Sequence, residues 1–167
     1  FVVNTQTTGK QHIHTTTVLE NGNYVIVWFD ENDTNTKGQI FNDQGIAVGN
    51  ELQINTTTPT TGGLDWRDSP GITSLSDGGF FVTWNSYGVG AFDVYGQFFE
   101  ANGEKRGSEF LVNNVIAGEQ KQPETIEVDG GVLITFVDDG NIIGKFAPNP
   151  TQVEPLNYAD AYVQGGE

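Results

Sequence analysis

Cysteine and methionine are both absent from this 167-residue chain. Without cysteine there is no disulfide framework, no thiolate zinc site and no cysteine nucleophile. Without methionine, even at position 1, the sequence reads as a processed protein or as part of a longer one. Basic residues are scarce: 7 Lys and Arg stand against 22 Asp and Glu, a formal net charge of −15. A surface this acidic repels phosphate backbones, so nucleic acid is not an expected partner. The charge serves either solubility or cation binding. No run of 18 apolar residues is present, so no membrane span is expected. No stretch carries the period of a long amphipathic helix.

What is abundant points to short strands and tight turns. Hydrophobic residues make up 36% of the chain, enough for a core, and Gly occurs 22 times. One turn recurs, as Asn21-Gly22-Asn23, Asp77-Gly78-Gly79 and Asp129-Gly130-Gly131. An apolar run follows each: Tyr24 to Trp28, Phe80 to Trp84 and Val132 to Phe136. An alternating segment precedes each, from Ile13, Ile72 and Thr125. Strand, Asn-Gly or Asp-Gly, strand is a strong hairpin signal. A third element begins at Gly38, Gly96 and Gly144. A fourth reads Leu52-Gln53-Ile54-Asn55 and Phe110-Leu111-Val112-Asn113, and its likeness opens the chain as Phe1-Val2-Val3-Asn4.

The expected fold is therefore all-β: three four-stranded antiparallel, propeller-like repeats, about 11–55, 67–113 and 120–147. Together they form one domain over 1–147, followed by a Pro-containing tail or linker over 148–167. The extra strand Phe1 to Asn4 belongs to a neighbouring or to the last blade. Trp28, Trp84 and Phe136 occupy equivalent places and are expected to fill the space between blades.

The string Asp77-Gly78-Gly79-Phe80-Phe81-Val82-Thr83-Trp84, with Val94-Tyr95-Gly96-Gln97-Phe98-Phe99 and Gly107-Ser108-Glu109-Phe110-Leu111-Val112-Asn113, carries a resemblance. It resembles a tandem repeat of about 50 residues found in large secreted or surface proteins of bacteria and protists. The resemblance implies an extracellular or cell-surface, propeller-like β-structure. It implies no catalytic residues.

Candidate sites are few. Asp30 and Asp33 lie in one oxygen-rich loop, and Asp138 and Asp139 in the matching loop of the third copy; such clusters suit Ca²⁺. No cofactor is required by the pattern. Asn32 and Asn55 head glycosylation sequons. Tyr87, Phe92 and Tyr95 are candidate sugar contacts. No nucleophile elbow and no phosphate cradle is present, so the chain is expected to be non-enzymatic. Two functions fit. One is an extracellular structural or adhesive subunit that assembles with itself, into a head-to-tail filament by strand exchange, or with adjacent repeats of a longer chain. The other is a glycan-binding module.

Overall fold

A computed structural model describes residues 1–56, 70–87, 91–114 and 117–151. Among these residues there is no helix, and eleven strands form three antiparallel sheets. The first sheet joins β1 (Gln11–Val18), β2 (Tyr24–Asp30), β3 (Asn35–Phe41) and β4 (Ala47–Gln53). The second joins β5 (Gly71–Ser74), β6 (Phe80–Tyr87), β7 (Phe92–Phe99) and β8 (Lys105–Leu111). The third has β9 (Gln120–Val128), β10 (Gly131–Asp138) and β11 (Asn141–Pro148). In every sheet each strand lies beside its neighbour in sequence.

The recurrent turn makes this possible. Gly22, Gly78 and Gly130 have φ of 82°, 92° and 78°, a left-handed conformation that glycine adopts without a Cβ clash. In the first two turns the side chain before that glycine accepts a hydrogen bond from the backbone two residues on. Asn23 N–H donates to Asn21 Oδ1 and Gly79 N–H to Asp77 Oδ1, each at 3.0 Å.

Alternation along the second strand of each sheet then decides the stacking, because successive side chains point to opposite faces. On β6, Phe80, Val82 and Trp84 face the first sheet, where they meet Val25, Val27, Phe29, Ile40 and Ile54. Phe81 points the other way, into a second core with Val132, Ile134 and Phe136 of β10. The second sheet is thus covered on both faces and the outer two on one each. Burying these large side chains contributes about 1.5–3 kcal/mol apiece before the entropy of ordering them is set against it.

Two expectations need correction. The third sheet has three strands among the described residues, not four. β11 ends on Pro148 and Pro150 follows, neither of which can donate to a ladder, and Asn149 is tied instead to the second sheet through Asp77. Trp28 is buried like Trp84 and Phe136, but it does not lie between two sheets. It lies on the outer face of the first sheet, beside Val3 and Ile26.

Candidate functional site

The two unlike ends of the stack hold the features that packing leaves unused. On the third sheet, strand register puts Leu133 beside Ile126 and Phe146, and Val137 beside Ile142, all on the outer face. Ile142 is 80% exposed, Ile126 60% and Phe146 55%. The corresponding residue of the second sheet, Phe81, is fully buried against the third. Exposed apolar positions in one contiguous patch mark an interaction surface more often than chance.

The outer edge of β11 is equally open among the described residues. In the first two sheets a fourth strand closes this edge in one repeated way. Ile54 N–H donates to Thr36 C=O at 2.9 Å, and Val112 N–H to Val94 C=O at 2.8 Å. Next in sequence, the buried Asn55 and Asn113 turn back as latches. The N–H of Thr36 donates to Asn55 Oδ1 at 2.9 Å, and that of Val94 to Asn113 Oδ1 at 2.8 Å. A glycine makes room for the fourth strand's side chain: Gly38 pairs with Leu52, and Gly96 with Phe110. A Cβ at Gly96 would meet Phe81 Cζ at 2.6 Å and Phe110 Cζ at 3.3 Å. The third sheet repeats the seat without the occupant. Gly144 matches Gly38 and Gly96, and a Cβ there meets nothing nearer than Leu133 Cδ1 at 3.7 Å. A cleft of about 420 Å³ runs between this edge and the second sheet, lined by Phe110, Leu111, Val112, Lys145 and Phe146.

At the other end, Phe1 to Asn4 belongs to none of the sheets formed by the described residues. The segment lies over the first sheet, with the Phe1 ring 5.0 Å from that of Phe41. A Cβ built on Gly45 would reach Phe1 Cε1 at 3.1 Å, as one on Gly103 would reach Leu52 Cδ2 at 2.7 Å. Thr5 N–H donates to Glu51 at 3.2 Å, and Thr56 N–H donates to Glu109 in the same way. Residues 1–5 therefore stand on the first sheet as residues 52–56 stand on the second. Asn4 Nδ2 donates to Gln11 Oε1 at 3.2 Å, while its Oδ1 accepts from no described residue.

The other sequence candidates are dispersed. Asp30 is buried and its Oδ2 lies 3.1 Å from Lys37 Nζ; Asp33 lies 2.7 Å from the same ammonium. Burial alone would raise the Asp30 carboxyl, but the Asn32 backbone N–H, Lys37 and the Asn32 amide hold it below its ordinary value. Lys37 thus occupies the place proposed for a cation. Asp138 accepts from Gln120 Nε2 at 2.9 Å, and Asp139 sits in a left-handed turn with φ of 46°. No group of three metal-ligating side chains occurs among the described residues. Asn32 is exposed, its amide donating to Thr8 C=O and Asp30. Asn55 is a correction: its Oδ1 and Nδ2 are both engaged and it is buried, so the folded chain offers no sugar acceptor there.

The proposed sugar platform also divides. Tyr87 and Phe92 meet edge to face at 5.1 Å, but Tyr95 stacks on Trp84 across the opposite face of the second sheet. Residues 88–90 of that hairpin lie outside the described residues, as does 152–167 of the expected tail.

Sequence reasoning missed the Asn latches and a buried ionic tie. Arg106 donates to Asp77 at 2.7 Å, to Glu100 at 2.8 Å and to Asn149 at 3.0 Å. Burial would raise the Asp77 carboxyl, but the Thr151 hydroxyl, the Gly79 N–H, Arg106 and Asn149 hold it well below the usual carboxylate range. The latches had a signal, an Asn closing each fourth element at 4, 55 and 113. The ionic tie had none, since its partners are distant in sequence.

No family model and no curated protein matches this chain. Among solved structures it is similar to the crystal structure of an endo-arabinase from Bacteroides thetaiotaomicron VPI-5482, at 13% identity and a TM-score of 0.51. The match covers 83% of this chain and 56% of the other, so the chain spans little more than half of that structure. At this identity the likeness is one of fold. It overturns the expectation of a non-enzymatic chain, which rested on missing motifs, because the fold found here is also that of an enzyme. No helix among the described residues is long and apolar enough to cross a membrane.

Proposed function

We propose that the three sheets are propeller blades and that the chain is an extracellular structural or adhesive subunit that assembles with itself, head to tail. The observation that carries this reading is the outer face of the third sheet. There Ile126, Leu133, Ile142 and Phe146 stand exposed on the face that, in the second sheet, is buried by a following sheet. The three described sheets fall short of the 4 to 8 blades of a closed propeller, so further blades, from other copies or from adjacent repeats of a longer chain, would cover its two ends. A head-to-tail contact between unlike faces closes into a ring or continues as a filament, according to its rotation. The resemblance to repeats of secreted and surface proteins supports the extracellular setting, and the net charge of −15 suits a chain that must stay dispersed before it assembles.

The test is a concentration series by light scattering and sedimentation velocity. Particles of two or more chains are expected, growing with concentration. A monomer at every concentration up to the millimolar range overturns the proposal.

A further inference from the structure

We infer that Phe1 to Asn4 of one copy is the missing fourth strand of the third sheet of a second copy, seated on Gly144 and latched to Ile142. This rests on the head-to-tail reading above and names the contact that makes it.

Three observations converge on one register. The acceptor edge is built but unfilled among the described residues. Ile142 occupies the position of Thr36 and Val94, opposite Val137 as those lie opposite Phe29 and Asn85. In Thr36 and Val94 the backbone N–H and C=O turn away from the second strand and towards the fourth. Ile142 has the same place in its ladder, so its N–H and C=O face the open edge. Gly144, two residues on, leaves the space that Gly96 leaves for Phe110. An aromatic ring laid over a strand glycine restores the packing that the absent side chain forgoes.

The donor has the matching residues. Phe1, Val3 and Asn4 stand in the order of Phe110, Val112 and Asn113. Transferring the register of Gly96 with Phe110, and of Tyr95 with Leu111, sets Phe1 opposite Gly144 and Val2 opposite Ile143. Val3 N–H then donates to Ile142 C=O, and Asn4 Oδ1, which accepts from no described residue of its own chain, accepts from Ile142 N–H.

The donor is also already placed. Its Phe1 contact at Gly45 and its Thr5 bond to Glu51 reproduce those of Leu52 at Gly103 and Thr56 to Glu109. The segment therefore waits on the first sheet as the last strand of a sheet that would precede it. The third sheet of a second copy, short of that one strand, is such a sheet. Its outer face of Ile126, Leu133, Ile142 and Phe146 would then cover Tyr24, Ile26 and Trp28. The interfaces between first and second and between second and third sheets would continue across two chains. The chain's own third sheet is a poor recipient. A whole sheet stands between, two spacings of about 10 Å, and the segment would have to leave Phe41 and Gly45.

Cross-linking tests the register, and the native chain has no cysteine to confuse it. Val2→Cys and Ile143→Cys are made in separate chains, mixed at equal concentration and oxidised. A disulfide-linked pair of chains is expected, and none when Val2→Cys is mixed with Val18→Cys. The double variant at high dilution reports on the alternative, since an internal disulfide in a monomer would assign the strand to its own chain. Gly144→Val supplies a second readout. It should melt like the native chain, yet raise the concentration for half-assembly by at least about tenfold. Assembly with no Val2–Ile143 cross-link, an internal link in the double variant, or unchanged assembly of Gly144→Val overturns the register and leaves the head-to-tail reading standing. Absence of assembly overturns both.

Discussion

The second and third sheets are built from the same strand order and the same turn, yet one is finished and the other is not. The second has four strands and a core on each face. The third has three strands among the described residues, one covered face and one bare face. Equivalent residues therefore live in opposite environments. Phe81 is fully buried and Leu133, its counterpart, is 36% exposed. Gly96 is crowded by two rings and Gly144 by none. The difference teaches that burial at a repeat position is decided by whether a further sheet stands beyond it, not by the strand order of its own sheet. The apolar side chain is present whether or not a neighbour has arrived to bury it.

The sharpest way to break this comparison is truncation at the matched pair. In dilute, monomeric protein Phe81→Ala should cost about 3–5 kcal/mol, while Leu133→Ala should cost less than about 1 kcal/mol. Urea unfolding of the two variants measures both. Equal losses would mean that the third sheet's outer face is covered within the chain. Tying the sheets together is the next largest effect. Asp77→Asn removes a carboxylate that receives Arg106, Asn149 and Thr151, and should cost about 1.5–3 kcal/mol at neutral pH. Because the folded-state pKa of Asp77 lies below its unfolded value, this contribution is complete above pH of about 4 and is lost as pH falls further. The stability difference between native and Asp77→Asn should shrink along that descent. A difference that stays constant with pH would assign the effect to packing.

Glycine gives a smaller contrast. Gly96→Ala places a Cβ 2.6 Å from Phe81 Cζ and should cost about 1–3 kcal/mol, because the ring is held in a full core. Gly144→Ala meets open space and should be neutral or slightly stabilising in the monomer, since it reduces the freedom of the unfolded chain. Thermal melting at low concentration distinguishes them.

How far the sequence foretold this follows from what kind of signal each feature leaves. The hairpins were legible because Asn21-Gly22, Asp77-Gly78 and Asp129-Gly130 sit between apolar runs, and turn chemistry is local. The two-sided burial of β6 was legible in its run from Phe80 to Trp84, apolar at every position but Thr83. The unequal ends were only half legible. Trp28 has the sequence of an intersheet residue, but whether a sheet stands beyond it is a fact about neighbours. The pairing of Asp30 and Asp33 was hidden for a related reason: they look like free oxygen ligands until the third strand brings Lys37 between them. Asn55 looked like a sugar acceptor because a sequon is three residues long and says nothing about burial. The Asp77–Arg106–Asn149 tie spans residues 29 to 72 apart and leaves no local trace.

The latches provide the finest test. Asn113→Ala would leave the buried Val94 N–H without its acceptor, and an orphaned buried donor costs about 1–3 kcal/mol. Asn4→Ala removes the same side chain from the same place in the repeat, where among the described residues it holds Gln6 and Gln11 near the surface. In the monomer it should cost a few tenths of a kcal/mol, within the ~0.5 kcal/mol range of surface changes. If Asn4 serves a second copy, its loss should appear in assembly instead, weakening it by about the amount that Asn113→Ala weakens folding. Measuring both variants by unfolding and by sedimentation separates the cases. An Asn4→Ala chain that is destabilised as a monomer and assembles normally would place the latch inside its own chain. It would then make the first sheet, and not the third, the place where the repeat is completed.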